Sequence, residues 1–405
     1  VFAGSHISNS RERRHGLLST TYRLCVILTS EHNKIREVAR SFARSEIAPN
    51  VREWEAQGGA PKALYQAMAN IGLLGMTIDP VYGGSGLDFV SYALAMEEIA
   101  AVDGGISNMM SANNSPVAIG IATHGTTEQK DRFLPRLCAG EWLGSFHLTE
   151  PHTGSDASSI TTRAVRDGNQ YILNGHKAFI TAGSTSDIAM IVAVTDPQQD
   201  NPGISVFLTP TDNPGYQVIN TERKLGHRTN DLCQVRFDEM RIPATDLLGE
   251  EGRGLAIALG SLSLGRIATA AQAVGGARQA LQLSKDYASQ RETFGKPIMG
   301  HQSVAFTLAE MATEVEVARQ MYLHAASLHD AGEDSATAAS MAKLFASEMA
   351  ERVASKAIQI HGGAGFLEDH LVEKIYRDVR VYQIYEGTSE VQKIVISRNL
   401  DSLEL

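Results

Sequence analysis

The feature that most limits this 405-residue chain is a change of period in its middle third. From residue 31 to about 139, apolar residues recur at helical spacing. Ile35, Val38 and Phe42 fall on one face before Pro49 stops the run. Stretches 63–74 and 91–102 predict further helices, with Pro80, Gly83, Gly84 and Gly86 punctuating the chain between them. From about 141 to Pro243 the texture is that of strands. Asp167-Gly168 and Asn174-Gly175 are two-residue hairpin signals flanking 170–173. Residues 188–194 are nearly all apolar, as in a buried strand, and Val235 and Phe237 alternate with polar neighbours. Short strands at this spacing predict a small barrel or sandwich. After Gly252 long helices return. Val304, Leu308, Met311, Val315, Ala318 and Tyr322 keep a three-four spacing, as do Met341, Phe345, Met349 and Val353. Single apolar stripes joined by short loops predict a bundle.

Charge and cysteine usage narrow the function. Lys and Arg total 36 against 46 for Asp and Glu, a net charge of -10. That balance disfavours a general nucleic-acid-binding role. Cys25, Cys138 and Cys233 are far apart with no metal-ligand spacing, so no metal site is expected and a reducing compartment is. No uninterrupted apolar run reaches the length of a membrane span. Residues 1–30 carry Arg11, Arg13, Arg14 and Arg23 against Glu12 and are rich in Ser and Thr. They read either as an upstream extension, which leaves a bacterial cytoplasmic protein, or as a transit segment to the mitochondrial matrix.

Five constellations carry chemistry, and each has a plain reading beside it. Residues 148–156, LTEPHTGSD, form a turn-rich entry to the strand region. Such a loop also offers hydroxyls and N–H groups to an anion or a heteroaromatic ring. Residues 177–183, KAFITAG, are a strand and turn that could set an aromatic ring against a flat cofactor. Residues 291–297, RETFGKP, followed by Gln302, break one helix from the next, and Arg291 could fork phosphate oxygens. Residues 359–365, QIHGGAG, end a helix without the strand-then-helix context of a dinucleotide turn. By itself His361 reads as a structural histidine. Finally, YEGTSE at 385–390 sets Glu386 between an aromatic ring and a glycine, where it could serve as a base.

Taken together, in this order and at these spacings, the motifs resemble the acyl-CoA dehydrogenase family. YGGSGLD, LLGEEGRG and LSLGRIATAAQAVG add to the match, which covers residues 31–400 and is nearest to short-chain and branched-short-chain members. The resemblance implies an α+β multidomain fold. It consists of an all-α N-terminal domain at 31–140, a middle β-barrel at 141–245 and a C-terminal four-helix bundle at 246–405. It implies FAD as cofactor, an acyl-CoA substrate oxidised to the trans-2-enoyl-CoA, electron-transfer flavoprotein as acceptor, and a homotetramer.

Roles follow residue by residue from the same resemblance. Glu386 matches the base that removes the α-proton, and Gly387 and Tyr385 match its neighbours around the thioester. Phe146, Leu148, Thr149, Gly154 and Ser155 match the flavin-contacting loop, Ser155 also lying near CoA. Phe179, Ile180 and Thr181 match a second flavin strand, with Phe standing where the family often has Trp. Arg291, Gln302, Gln359, Ile360, His361, Gly362 and Gly363 match contacts to the FAD phosphates or adenosine, partly across a subunit boundary. Thr388, Ser389 and Glu390 match further FAD contacts. Ser263, Leu264, Gly265 and Arg266 match the helix bordering substrate. Some branched- and long-chain members carry their base at the position of Gly265, which cannot ionise, so the pattern leaves Glu386 as the base. An oxidase or monooxygenase on the same fold, and a non-catalytic scaffold, remain the alternatives.

Overall fold

The computed structural model describes residues 26–197 and 203–402. Cys25 and nearly all of the leading segment 1–30 lie outside the described residues. The first helical block comprises α1 (Ser30–Phe42), α2 (Val51–Gln57), α3 (Lys62–Asn70), α4 (Phe89–Ala100), α5 (Gly104–Ala112), α6 (Gly120–His124) and α7 (Thr127–Cys138). Side-chain caps start several of them: Asp88 accepts from the Ser91 N–H and Asp103 from the Ile106 N–H. On α1 the expected apolar face is displaced. Ala39 and Phe42 are buried, Ile35 is half-buried, and Val38 is 47% exposed. Helix α1 packs on α4, and Ala39 and Phe42 belong to the core they share, with Ile35 against it and Val38 outside it.

The middle region forms one sheet from β1 (Gly144–His147), β2 (Arg163–Asp167), β3 (Gln170–Thr181), β4 (Ile188–Asp196), β5 (Gly203–Pro210), β6 (Tyr216–Thr221), β7 (Leu232–Pro243) and β8 (Leu247–Leu248). Its order is β6-β7-β3-β2-β4-β5-β8, with β1 parallel to β4. The apolar run 188–194 serves two cores because side chains alternate along a strand. Ile188, Met190, Val192 and Val194 pack with Phe133, Leu134 and Leu137 of α7. Ala189, Ile191 and Ala193 pack with Tyr171, Phe207 and Phe237 across the other face.

Of the two hairpin signals, one is a turn and one is not. Asp167 pairs with Gln170 across the Gly168-Asn169 turn, as expected. Asn174-Gly175 instead lies inside β3. Leu173 pairs with Met240 and Gly175 with Phe237, so Asp238 and Glu239 oppose Asn174 alone. The Asn174 amide satisfies that bulge, donating to Glu239 Oε1 at 2.7 Å and accepting from its N–H at 2.8 Å.

Beyond the sheet come α8 (Gly254–Gln290), the small hairpin β9 (Glu292–Thr293) and β10 (Lys296–Pro297), α9 (Gln302–Asp330), α10 (Ala336–His361), α11 (Leu371–Val379) and α12 (Ser389–Arg398). The two helical blocks are not separate cores. Met96 and Ile99 of α4 share one apolar cluster with Val274 of α8, Tyr322 of α9 and Met349 of α10. All twelve residues of α4 are buried. Its Glu97 accepts from Arg319 and from the Tyr322 hydroxyl, and its Glu98 accepts from Arg40 and Arg278. Helix α8 is long and apolar enough to cross a membrane by composition, but 61% of its most apolar window is buried inside the protein, as a core helix requires.

Candidate active site

The segment before α12 holds two consecutive residues in the left-handed region, Glu386 at φ 55° and Gly387 at φ 87°. A glutamate there is strained and needs outside support. Two donors supply it through three hydrogen bonds. Gln392 Nε2 donates to the Glu386 carbonyl at 3.0 Å and to the Gly387 carbonyl at 2.8 Å. Lys343 Nζ of α10 donates to the Gly387 carbonyl at 2.6 Å. A Cβ on residue 387 would lie 2.8 Å from Gln392 Nε2, so the clamp and the positive φ both call for glycine. Thr388 then caps α12 by accepting from the Val391 N–H.

This backbone turns the Glu386 carboxyl inward. The residue is half-buried, but Oε2 is enclosed and has no hydrogen-bond partner among the described residues. Burial pushes its pKa up to about 7, against the smaller opposing pull of Arg266 and Lys343. Tyr385 closes one wall. Its hydroxyl donates to Gln272 Oε1 at 2.8 Å, and Gln272 Nε2 donates to Ser107 at 3.1 Å. The N–H groups of Glu386 and Gly387 make no hydrogen bond among the described residues.

Gly265 of α8 faces the carboxyl directly. A Cβ built there would meet Oε2 at 2.5 Å and Cδ at 2.7 Å. Positions 265 and 386 therefore share one volume, and only one of them can carry a side chain into it. The obstacle is the movable end of a side chain, so Gly265→Ala should push the carboxyl aside rather than unfold the helix. Activity is expected to fall about 10- to 100-fold through misplacement of the base. The melting temperature should hold or rise, since Ala is the better helix former. Full activity in that variant would show that the carboxyl's position is not critical.

β1 and the 148–156 loop lie against β3, whose Thr181 meets Asn108 of α5, the neighbour of the Ser107 that Gln272 reaches. The Ala178 N–H donates to the Thr149 carbonyl at 2.9 Å. Glu150 and Lys177 anchor the loop as a buried ion pair at 2.9 Å, with 1% and 0% of their side chains exposed. Glu150 also accepts from the Thr161 and Thr162 N–H groups, and Lys177 donates to the Leu148 carbonyl. A bulge in β3 between Lys177 and Ile180 sets Phe179 at φ 57° and leaves the residue 62% exposed. Thr149 and Thr181 are half-buried, Gly154 and Ser155 exposed, and Thr181 Oγ1 accepts from Asn108. An exposed aromatic residue, two half-open hydroxyls and an anchored polar loop fit the face and edge of a flat heteroaromatic group. Phe146 is half-buried, whereas the side chains of Leu148 and Ile180 belong to the two sheet cores and leave only backbone groups for a ligand.

On α8, Ser263 and Leu264 are half-buried and Arg266 is buried, its Nη1 donating to Ser340. A cavity of about 580 Å³ reaches Ser261 and Leu264 from Leu87, Phe89, Ile119 and Gly120, so its wall stops at the residue before Gly265, and Glu386 is not part of it. Ser389 is buried with its hydroxyl unpartnered, and Glu390 is exposed at the start of α12.

The remaining expected residues sit elsewhere. Arg291 follows the last residue of α8, Gln302 opens α9, and Gln359, Ile360, His361, Gly362 and Gly363 close α10. Position 291 is roughly 40 Å along the α8 axis from Gly265, at about 1.5 Å per residue. Gln359, Gly362 and Gly363 are exposed and Ile360 half-buried. His361 is a satisfied structural residue, its ring stacked on Tyr287 at 4.4 Å and Nδ1 on the Ala357 carbonyl. One chain does not bring this group to Glu386.

Lys343, Gln392, Gln272 and the Glu150–Lys177 pair were missed by motif reading. Two were legible in periodicity. Lys177 shares the inward phase of Tyr171 and Leu173, and Lys343 falls in the buried alanine stripe of α10.

Known proteins share the sequence pattern and the three-domain fold. Residues 29–141, 145–240 and 252–400 match the N-terminal, middle and C-terminal domain models of acyl-CoA dehydrogenase. An acyl-CoA dehydrogenase of Bacillus subtilis is 44% identical, covering 92% of this chain and 98% of the relative. The mitochondrial short-chain specific acyl-CoA dehydrogenase of Mus musculus is 38% identical over 95% and 93%. Among solved structures, butyryl-CoA dehydrogenase of Megasphaera elsdenii superposes with a TM-score of 0.90 at 39% identity, covering 93% of this chain and 99% of that one. A chain from a study of the electron transferring flavoprotein of Acidaminococcus fermentans gives 0.90 at 41%, over 92% and 98%. A glutaryl-CoA dehydrogenase of Mycobacterium smegmatis in complex with FADH2 gives 0.88 at 34%, over 95% and 97%. This chain belongs to the acyl-CoA dehydrogenase family.

Proposed function

We propose that the protein oxidises a short- or branched-short-chain acyl-CoA to its trans-2-enoyl-CoA, with Glu386 as the base, FAD as cofactor and electron-transfer flavoprotein as acceptor. The observation that carries this reading is the enclosed, unpartnered Oε2 of Glu386 on a clamped, strained turn.

A thioester α-proton is too weakly acidic for an ordinary carboxylate. Burial raises the proton affinity of Glu386 toward that of a base suited to neutral pH. The N–H groups of Glu386 and Gly387, unbonded among the described residues, are available to the thioester oxygen, where enolate charge develops. Tyr385, held by Gln272, keeps water from that side. Phe179, Thr149 and Thr181 would hold the ring of FAD, which would supply the acceptor for a hydride from Cβ. The reaction requires Cα to face the Glu386 carboxyl while Cβ faces the ring. The distant group at Arg291, Gln302 and Gln359–Gly363 would serve the cofactor of a neighbouring subunit in a homotetramer.

The test is anaerobic bleaching of the purified yellow protein by an acyl-CoA panel. Straight and branched four- and five-carbon thioesters should bleach it fastest. Because the base must be ionised, the rate should fall about tenfold per unit as pH drops below about 7. Reduction of electron-transfer flavoprotein, with little peroxide in air, supports a dehydrogenase. Rapid peroxide formation would favour an oxidase, and a colourless protein that takes up no FAD would overturn the reading.

A further inference from the structure

We propose that Lys343 is a positioning residue for Glu386, fixing the Gly387 peptide and adding to the positive charge of Arg266 in which the carboxyl ionises. This rests on Glu386 being the base.

Lys343 is fully buried on α10, within the stripe of Ala339, Ala342, Ala346 and Ala350 that packs against α8. Its Nζ makes one hydrogen bond, to the Gly387 carbonyl, and no carboxylate lies within ion-pair distance of it among the described residues. An enclosed ammonium without a paired carboxylate is costly, so a packing role does not account for it. Burial pushes its pKa down to about 8, which leaves it protonated at neutral pH.

The charges around the pair are few. Lys343 faces Glu386 most strongly, then Arg266 of α8, Glu348 of α10 and Glu390 of α12. Glu386 faces Arg266 and Lys343, and the hydroxyls of Tyr92 on α4 and Tyr385 lie within its field. Arg266 bonds Ser340, one turn before Lys343, so the two cations approach the carboxyl from adjoining helices. Arg266 adjoins Gly265 and holds no part of the catalytic turn. Lys343 does, through Gly387, so it contributes both to the geometry, with Gln392, and to the field, with Arg266.

The experiment reads the carboxyl itself. The infrared C=O stretch of protonated Glu386, identified by its loss in Glu386→Gln, is titrated in the holoenzyme without substrate. Lys343→Met should move that titration up by about one pH unit or more, since a nearby positive charge is lost. Lys343→Gln keeps a donor for the Gly387 carbonyl but not the charge. It should recover the melting temperature while its titration stays raised. Lys343→Arg should titrate near the wild type and retain about tenfold more activity at pH 7 than Lys343→Met. An unmoved titration in both uncharged variants overturns the proposal. If Lys343→Met fails to fold, Lys343→Gln gives the reading alone. Normal bleaching in Glu386→Gln would instead overturn the role of Glu386, whatever Lys343 does.

Discussion

Replacing Glu386 with Gln is expected to leave FAD bound and to slow its reduction by acyl-CoA at least about 10³-fold, within the range for losing a general base. Gln has the same shape and can occupy the same turn, because φ 55° at residue 386 is held by Gln392 bonds to backbone carbonyls. It cannot take a proton. The variant should also be more stable than the wild type where the carboxyl is charged. In the fold Glu386 titrates at about 7 against an ordinary 4.5. A raised carboxyl pKa means that folding disfavours the ionised form. The wild type therefore loses stability relative to Glu386→Gln as pH rises from 4.5 to about 7, by up to about 3 kcal/mol. Below pH 4.5 the difference should vanish. Stopped-flow bleaching and denaturant melts at pH 5 and 8 test both halves. A variant that bleaches normally would remove Glu386 from the mechanism.

Lys177→Met is expected to destabilise the protein by about 3–5 kcal/mol, because it strands Glu150 as an unpaired buried charge. Burial alone would push the Glu150 carboxyl up. Lys177 and the N–H donors of 161 and 162 outweigh it and hold the pKa at about 2. Burial lowers Lys177 to about 8. Both partners are thus charged at neutral pH. The Glu150 contribution is present above its ordinary 4.5 and is lost as pH falls toward 2. The pair pins Leu148 and Thr149 against β3, so FAD affinity should weaken in the variant. The double variant Glu150→Gln/Lys177→Met should recover much of the stability, because no charge is then left alone. A single variant that costs less than about 1 kcal/mol, judged against that range for a broken buried pair, would show the loop to be held by other contacts.

Periodicity and motif order made much of this legible. The helical, strand and helical textures correspond to α1–α7, β1–β8 and α8–α12. The apolar run at 188–194 became β4, buried on both faces. What sequence spacing misjudged were positions where a contact made in the folded chain decided the outcome. Asn174-Gly175 carries a hairpin signature, yet Glu239 converts it into a bulge inside a long strand. Val38 fits an amphipathic stripe, but the neighbouring Ala39 belongs to the shared core and Val38 lies outside it.

By itself the sequence determined the kind of element at each stretch and the residue types able to do the chemistry, because side-chain period and local backbone preference are short-range properties. Only the tertiary structure decided how those residues act. Gly265 and Glu386 are 121 positions apart, yet a Cβ on one would collide with the other's carboxyl. The charges that set the ionisation of Glu386 come from α8 and α10, and the burial that raises it comes from the packed core around them. Burial, field and contact depend on distance in space, and no local pattern along a chain encodes that distance.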